Sequence, residues 1–300
     1  MGVSFLLFPA SVSAAIQWSA SAVTGYYAPR LDDLNYILKN KAVELGPRNT
    51  EAKPFSYPVI YQGISPEMPE MSADAPRIGL QIQADLNPQY AFVFGMSTAK
   101  FDSVKKDIRN FYVGFNIPAE RETRFSLSLN QLWIGAKKYW TYGKVASSSK
   151  QVAGSRAEDL PATSYKLPPT RFYAEMGLLA VTRAYLTTDV WMHVYAPEEG
   201  FDFYKVVETG ISGSGYASYI GAGGEYFLKK WLSVALDLDY NIGSVTEMKF
   251  DNYFTVDPLE KDIVSEGSRA VYVDLEKGTL QPLIIDLEGW DMKGYFRVYF

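Results

Sequence analysis

Hydrophobicity in this chain repeats at every second residue, in segments of about the length that a tilted strand needs to cross a bilayer. That period excludes helical architectures and asks for strands with two unlike faces. In residues 77–87, Ile78, Leu80, Ile82, Ala84 and Leu86 share one face, and Gly79, Gln81, Gln83 and Asp85 the other. Tyr90, Phe92, Phe94 and Met96 oppose Ala91, Val93, Gly95 and Ser97, and Phe111, Val113, Phe115 and Ile117 oppose Asn110, Tyr112, Gly114 and Asn116. Phe125, Leu127 and Leu129 alternate with Arg124, Ser126, Ser128 and Asn130. The pattern then blurs at Gln131, where a bulge or a membrane edge is expected. Further on, Phe172, Ala174, Met176, Leu178 and Ala180 oppose Tyr173, Glu175, Gly177 and Arg183, and Ile220, Ala222 and Tyr226 oppose Gly221, Gly223 and Glu225. The clearest segment sets Leu232, Val234, Leu236, Leu238, Tyr240 and Ile242 against Ser233, Asp237, Asp239 and Asn241. The last sets Trp290, Met292, Phe296, Val298 and Phe300 against Asp291, Lys293, Arg297 and Tyr299. Residues 18–27 alternate poorly, and 189–195 are apolar or aromatic on both faces.

The connections alternate in length. Asn87-Pro88, 118–123, 187–189 and 228–230 read as tight turns, whereas 29–76, 100–107, 143–169, 197–214 and 251–289 read as long loops. Short turns on one side and long loops on the other describe an all-β, antiparallel up-and-down transmembrane β-barrel, with periplasmic turns and extracellular loops. A soluble sandwich also alternates but does not require this asymmetry. A closed sheet pairs every backbone N–H and C=O without an edge, as hydrocarbon demands. The count is about ten strands, with eight and twelve as alternatives and both ends of the barrel on the short-turn side. Twelve would follow if the hairpin at 270–275 and 279–287 entered the membrane, and Pro282 favours its standing above instead. In the first loop, Leu31, Leu34, Ile37, Leu38 and Leu45 have helix spacing, with Asp32 or Asp33 as the N-terminal cap. This short helix is expected over the barrel mouth or inside it, followed by an extended Pro-rich stretch at 54–76.

Composition removes other readings. No segment is apolar for the roughly 18 residues that a transmembrane helix needs. With no cysteine, thiol catalysis, disulfides and thiolate metal sites are excluded. A net charge of −5 argues against a general polyanion binder, so no nucleic-acid partner is expected. Residues 1–15, MGVSFLLFPASVSAA, resemble the end of a secretory signal peptide without its basic region. The expected division is a signal-peptide remnant at 1–15 and a barrel domain at 16–300.

Aromatic residues make up 15 % of the chain, and Trp18, Tyr26, Tyr90, Tyr112, Trp133, Tyr226, Tyr240 and Trp290 sit where interfacial girdles would fall. The inward face is expected to hold Asp85, Glu175, Arg183, Glu225, Asp237, Asp239, Asp291, Lys293 and Arg297, with Arg124 a further basic candidate. Such charges either form a salt-bridged plug or line a narrow, mildly cation-selective pore. The one histidine, His193, would need a serine from a neighbouring strand, such as Ser218, to build a hydrolytic site; an aromatic-packed structural role is the expectation. Gly210 to Gly215 lacks a following helix and is no phosphate cradle. No catalytic residue, cofactor or metal site is expected.

The segment Gly294-Tyr295-Phe296-Arg297-Val298-Tyr299-Phe300 resembles the C-terminal strand signature that outer-membrane proteins present to the barrel assembly machinery, carried by Tyr295, Phe296, Val298 and Phe300. Together with Gly25-Tyr26-Tyr27, GAGGEYF at 221–227 and LSVALDLDY at 232–240, it makes the chain similar in style to small outer-membrane barrels, the OmpW-like and opacity-like porins. The long first and last loops and a count above eight depart from that pattern. The resemblance implies a Gram-negative outer-membrane location, with membrane lipid and the assembly machinery as partners. It implies a non-enzymatic role: a narrow porin-like channel for small solutes, or a largely plugged structural barrel. The alternative is a surface-interaction or assembly-scaffold barrel acting through its loops, and a lipid-modifying enzyme comes after both. The solute, the surface partner and the oligomeric state stay open.

Overall fold

The computed structural model describes residues 16–40, 69–71, 75–113, 117–141, 170–196, 201–255, 267, 269–274 and 279–300. The signal-peptide reading at 1–15, Leu45, most of the Pro-rich stretch and the 143–169 loop lie outside the described residues.

The elements in chain order are β1 (Gln17–Pro29), α1 (Asp32–Asn40), β2 (Ala75–Asn87), β3 (Tyr90–Val113), β4 (Ile117–Thr141), β5 (Thr170–Ala196), β6 (Phe201–Lys229) and β7 (Leu232–Val245). They continue with β8 (Lys249–Thr255), β9 (Val271–Asp274), β10 (Thr279–Pro282), β11 (Ile285–Asp286) and β12 (Gly289–Tyr299). Strands β1 to β7 pair antiparallel in sequence order, β7 pairs with β12, and β12 returns to β1. The sheet is therefore a closed eight-stranded barrel. Strand β8 lies on the upper half of β6, β11 pairs antiparallel with the upper end of β7 just beyond β12, and β9 with β10 forms a separate hairpin, as expected for 270–287.

Eight strands replace the expected ten because four strands are about twice as long as the pattern suggested. Strands β3 to β6 have 24, 25, 27 and 29 residues, against 11 to 14 for β1, β2, β7 and β12. The short set matches one crossing of a bilayer, for which roughly 9–11 residues suffice. The long set is about twice that length and continues upward as a taller wall. Residues 100–107, 118–123, 187–189 and 201–214, expected as turns or loops, are all inside this wall. They are rich in Ser, Thr, Lys, Asp and Arg, which reads as loop unless a strand face is allowed to meet water. The connection from Thr141 to Thr170 leaves from the same end as the tight turns at 88–89 and 230–231, not from the expected long-loop end.

The two faces of the long strands exchange character partway up. On β3, Phe92, Phe94 and Met96 point outward and are half exposed, while Val93 and Ser97 are buried inside. Above Thr98 the parity continues but the chemistry reverses: Phe101 points in and is fully buried, whereas Lys100 and Asp102 point out. Strand β4 repeats this, with Phe125, Leu127 and Leu129 inside above Asn130, and Gln131, Trp133 and Lys137 inside below it. The irregularity expected at Gln131 is real, because the β4–β5 register shifts between Asn130 and Gln131. Its source is a β-bulge at Thr182–Arg183 of β5, which leaves both residues exposed and flips the inward parity from odd numbers to even.

Candidate functional site

The lower interior is a charged, hydrogen-bonded network. Asp85, Glu175, Glu225, Asp237, Asp239, Asp291, Lys293 and Arg297 are all buried inside the barrel. Arg183 is not. The bulge turns it outward, with 57 % of its side chain exposed, and Arg124, above the exchange level, is likewise outside at 53 %. Three interior cations escaped the sequence reading: Arg77, Lys137 and Arg171, each about 1 % exposed. The interior thus holds five cations against six carboxylates among the described residues.

These groups pair across the lumen rather than only along the wall. At the bottom, Glu225 on β6 is the hub. It accepts from Arg171 Nε at 2.7 Å, Arg297 Nη1 at 2.9 Å, Tyr299 Oη at 2.6 Å and Ser233 Oγ at 2.5 Å. Arg171 also donates to Asp85 on β2 at 3.3 Å and to Tyr299 at 2.7 Å, tying four strands together. Higher up, Lys137 on β4 lies between Glu175 at 2.9 Å and Asp237 on β7 at 3.1 Å, and Tyr173 donates to Asp237. Lys293 meets Asp239 at 2.5 Å, and Arg77 pairs with Asp291. Aromatic faces complete the cages. Lys137 stands 4.0 Å from the Tyr173 ring, Arg171 3.8 Å from Tyr139, and Lys293 5.2 Å from Trp133. Trp133 is therefore interior and fully buried, not a girdle residue.

The GAGGEYF segment has a physical reason. Gly221 and Gly223 stand opposite Asp239 and Asp237 in the β6–β7 register, and a Cβ on either glycine would collide with the facing carboxylate. The glycines make the room that lets the acidic pair reach its cations.

Above the network the interior is apolar. Helix α1 lies over the barrel with Leu31, Leu34, Ile37 and Leu38 all at 1 % exposure or less, packed in one cluster with Phe101, Phe125, Leu127, Leu283, Ile285 and Leu287. The expected helix is present, but its cap is not an aspartate. The Leu31 carbonyl accepts the Asn35 N–H at 2.9 Å, and Leu31 has a left-handed φ of 52°. That conformation is unfavourable for a leucine and is held by burial of its side chain. Asp33 instead accepts the Ile284 N–H at 3.1 Å, while Tyr27 Oη donates to the Leu287 carbonyl at 2.6 Å.

Outside, the lower wall is an apolar belt. No charged side chain occupies an outward position of β1, β2, β7 or β12. Trp18, Tyr226, Trp140 and Trp231 are exposed near its lower edge, and Tyr26, Tyr216 and Trp290 near its upper edge. Tyr90 and Tyr240 are partly exposed, and the Tyr112 side chain is outside the described residues. Phe296, Val298 and Phe300 of the C-terminal segment point outward, and Tyr295 points inward.

His193 and Ser218 are not brought together. Ser218 pairs with Leu178, fifteen residues along β5 from His193, a separation of about 50 Å. Residues 210–215 lie within β6. No group of three or more metal-ligating side chains occurs among the described residues. The sequence matches no family model and no curated protein.

Proposed function

We propose that this chain is a non-enzymatic, membrane-spanning barrel of the bacterial outer membrane whose lumen is closed by its own side chains. Its working surface is the wall that projects beyond the bilayer. The exchange of faces along β3 and β4 is the observation that carries this reading. Below the exchange, large apolar groups face outward around the whole barrel; above it, charges and hydroxyls do. One strand face that turns from oily to polar at a fixed level fits two external solvents, lipid and water. The aromatic rims support the same placement. Tyr295, Phe296, Val298 and Phe300 on β12 then serve as the signal to the assembly machinery.

The plugged form is favoured over a narrow solute channel by the cross-lumen pairs Lys137–Asp237 and Arg171–Asp85, and by α1 above them. An ion crossing the barrel would have to displace both. Purified, refolded protein in a planar bilayer tests it. The expected result is no stepwise conductance from protein whose heat-modifiable gel mobility demonstrates a folded barrel. Regular conductance steps, altered by Asp237→Asn, would establish a pore instead.

A further inference from the structure

The exchange level carries a second pattern, confined to one side. Just above the apolar belt, the pairing register places Lys100, Ser128, Tyr185, Ser212, Lys249 and Arg269 in one continuous cross-strand row over β3, β4, β5, β6 and β8. One step below it, Thr98, Asn130 and Arg183 form a shorter row, with Thr98 Oγ1 donating to Asn130 at 3.0 Å. Lys100, Arg183 and Lys249 have 63 %, 57 % and 54 % of their side chains exposed. The remaining side chains of these rows are the Arg269 guanidinium, three aliphatic hydroxyls, one phenol and one amide. The bulge at Thr182–Arg183 puts Arg183 here rather than in the barrel.

The acidic neighbours leave these cations available. Lys100 lies 3.6 Å from Asp102, Arg183 3.7 Å from Asp251, and Lys249 3.8 Å from Glu247. Such exposed pairs at long range are weak in water and yield to a stronger anion. Four cations face three carboxylates, although the whole chain is net negative at −5. The opposite four strands offer no charge on their outward faces.

We infer that this collar binds the headgroup of a phosphorylated glycolipid of the surrounding leaflet, its chains lying on Met96, Ile134, Met176 and Leu178 below. The inference rests on the membrane-spanning reading above. Basic groups meet the phosphates, and hydroxyls and the Asn130 amide meet sugar hydroxyls. The apolar residues continue directly beneath the polar row on the same strand faces, so the surface fits an amphiphile rather than a free anion.

The test uses full-length, refolded protein in phosphatidylcholine vesicles with and without lipid A, a bis-phosphorylated glycolipid. First, flotation and heat-modifiable mobility establish insertion; protein that does not float removes both the membrane reading and this one. For inserted protein, lipid retained after detergent extraction is measured by native mass spectrometry. Retention of lipid A is expected to exceed that of phosphatidylcholine. It is expected to fall about thirty-fold in Arg183→Ser/Lys249→Ser, to persist in Arg183→Lys, and to be unchanged in Lys138→Ser at the lower rim. Equal retention by the double variant and the native chain would overturn the site. Millimolar inorganic phosphate releasing the lipid as well as soluble lipid A does would overturn the amphiphile and leave a simple anion patch.

Discussion

At the level of Lys137 the barrel is filled by ammonium, guanidinium and carboxylate groups; ten residues higher on the same strand, at Leu127, it is filled by leucine, phenylalanine and a helix. Outside, the order is reversed, with Ile134 exposed at the lower level and Ser126 and Arg124 at the upper. The difference teaches what each half has to solve. On the proposed membrane placement, the upper wall meets water and folds by burying its apolar face, so it needs a core, and α1 supplies the missing layer. On the same placement the lower wall meets lipid and gains little from burying apolar groups, so its interior is free to be polar. It must then satisfy every buried charge internally. Buried ion pairs of this kind add little net stability over an apolar filling, but they penalise any strand register that separates the partners.

The comparison can be broken most severely at the hub of the lower half. Glu225→Ala leaves Arg171 and Arg297 without their shared carboxylate, and denaturant unfolding of the refolded barrel should register a loss of about 3–5 kcal/mol. Loss below about 1 kcal/mol would mean that water already satisfies these cations. In the upper half, Leu34→Ala should cost about 2–4 kcal/mol through cavity formation, and the loss should be insensitive to salt. The outer wall sharpens the contrast: Leu236→Arg should destabilise the bilayer-inserted barrel by about 2–4 kcal/mol, whereas Ser128→Arg, outward but above the exchange, should be nearly neutral. Smallest of all, Arg124→Ser should change stability by less than about 0.5 kcal/mol, since its partner Glu122 is 3.4 Å away and both are solvent-accessible.

Much of the lower barrel was legible because one rule, apolar out and polar in, applies to most residues there. Asp237 and Asp239 follow from Leu236 and Leu238 by parity alone. Lys137 was hidden by its neighbour Lys138, since two adjacent lysines give no period. Arg77 and Arg171 were hidden because each opens its segment, next to a loop. The upper wall was misread for a deeper reason. There the rule inverts, so Phe125 and Leu127 were assigned to lipid and Arg124 to the lumen. Arg183 fails through a single inserted residue at Thr182, which no alternation pattern can place without the partner strand. The helix was legible from Leu31, Leu34, Ile37 and Leu38, but a leucine cap with positive φ is a tertiary outcome.

The exchange of faces along one strand is the central claim, and the absence of native cysteine makes it directly measurable. Single cysteines placed on β3 at Phe94, Met96, Lys100 and Asp102 in vesicle-inserted protein would be offered a water-soluble maleimide, then a fluorophore quenched by nitroxide lipid. The account predicts slow maleimide reaction and strong lipid quenching at Phe94 and Met96, and fast reaction without quenching at Lys100 and Asp102. Uniform reactivity across all four positions, with no lipid quenching at any, would contradict it.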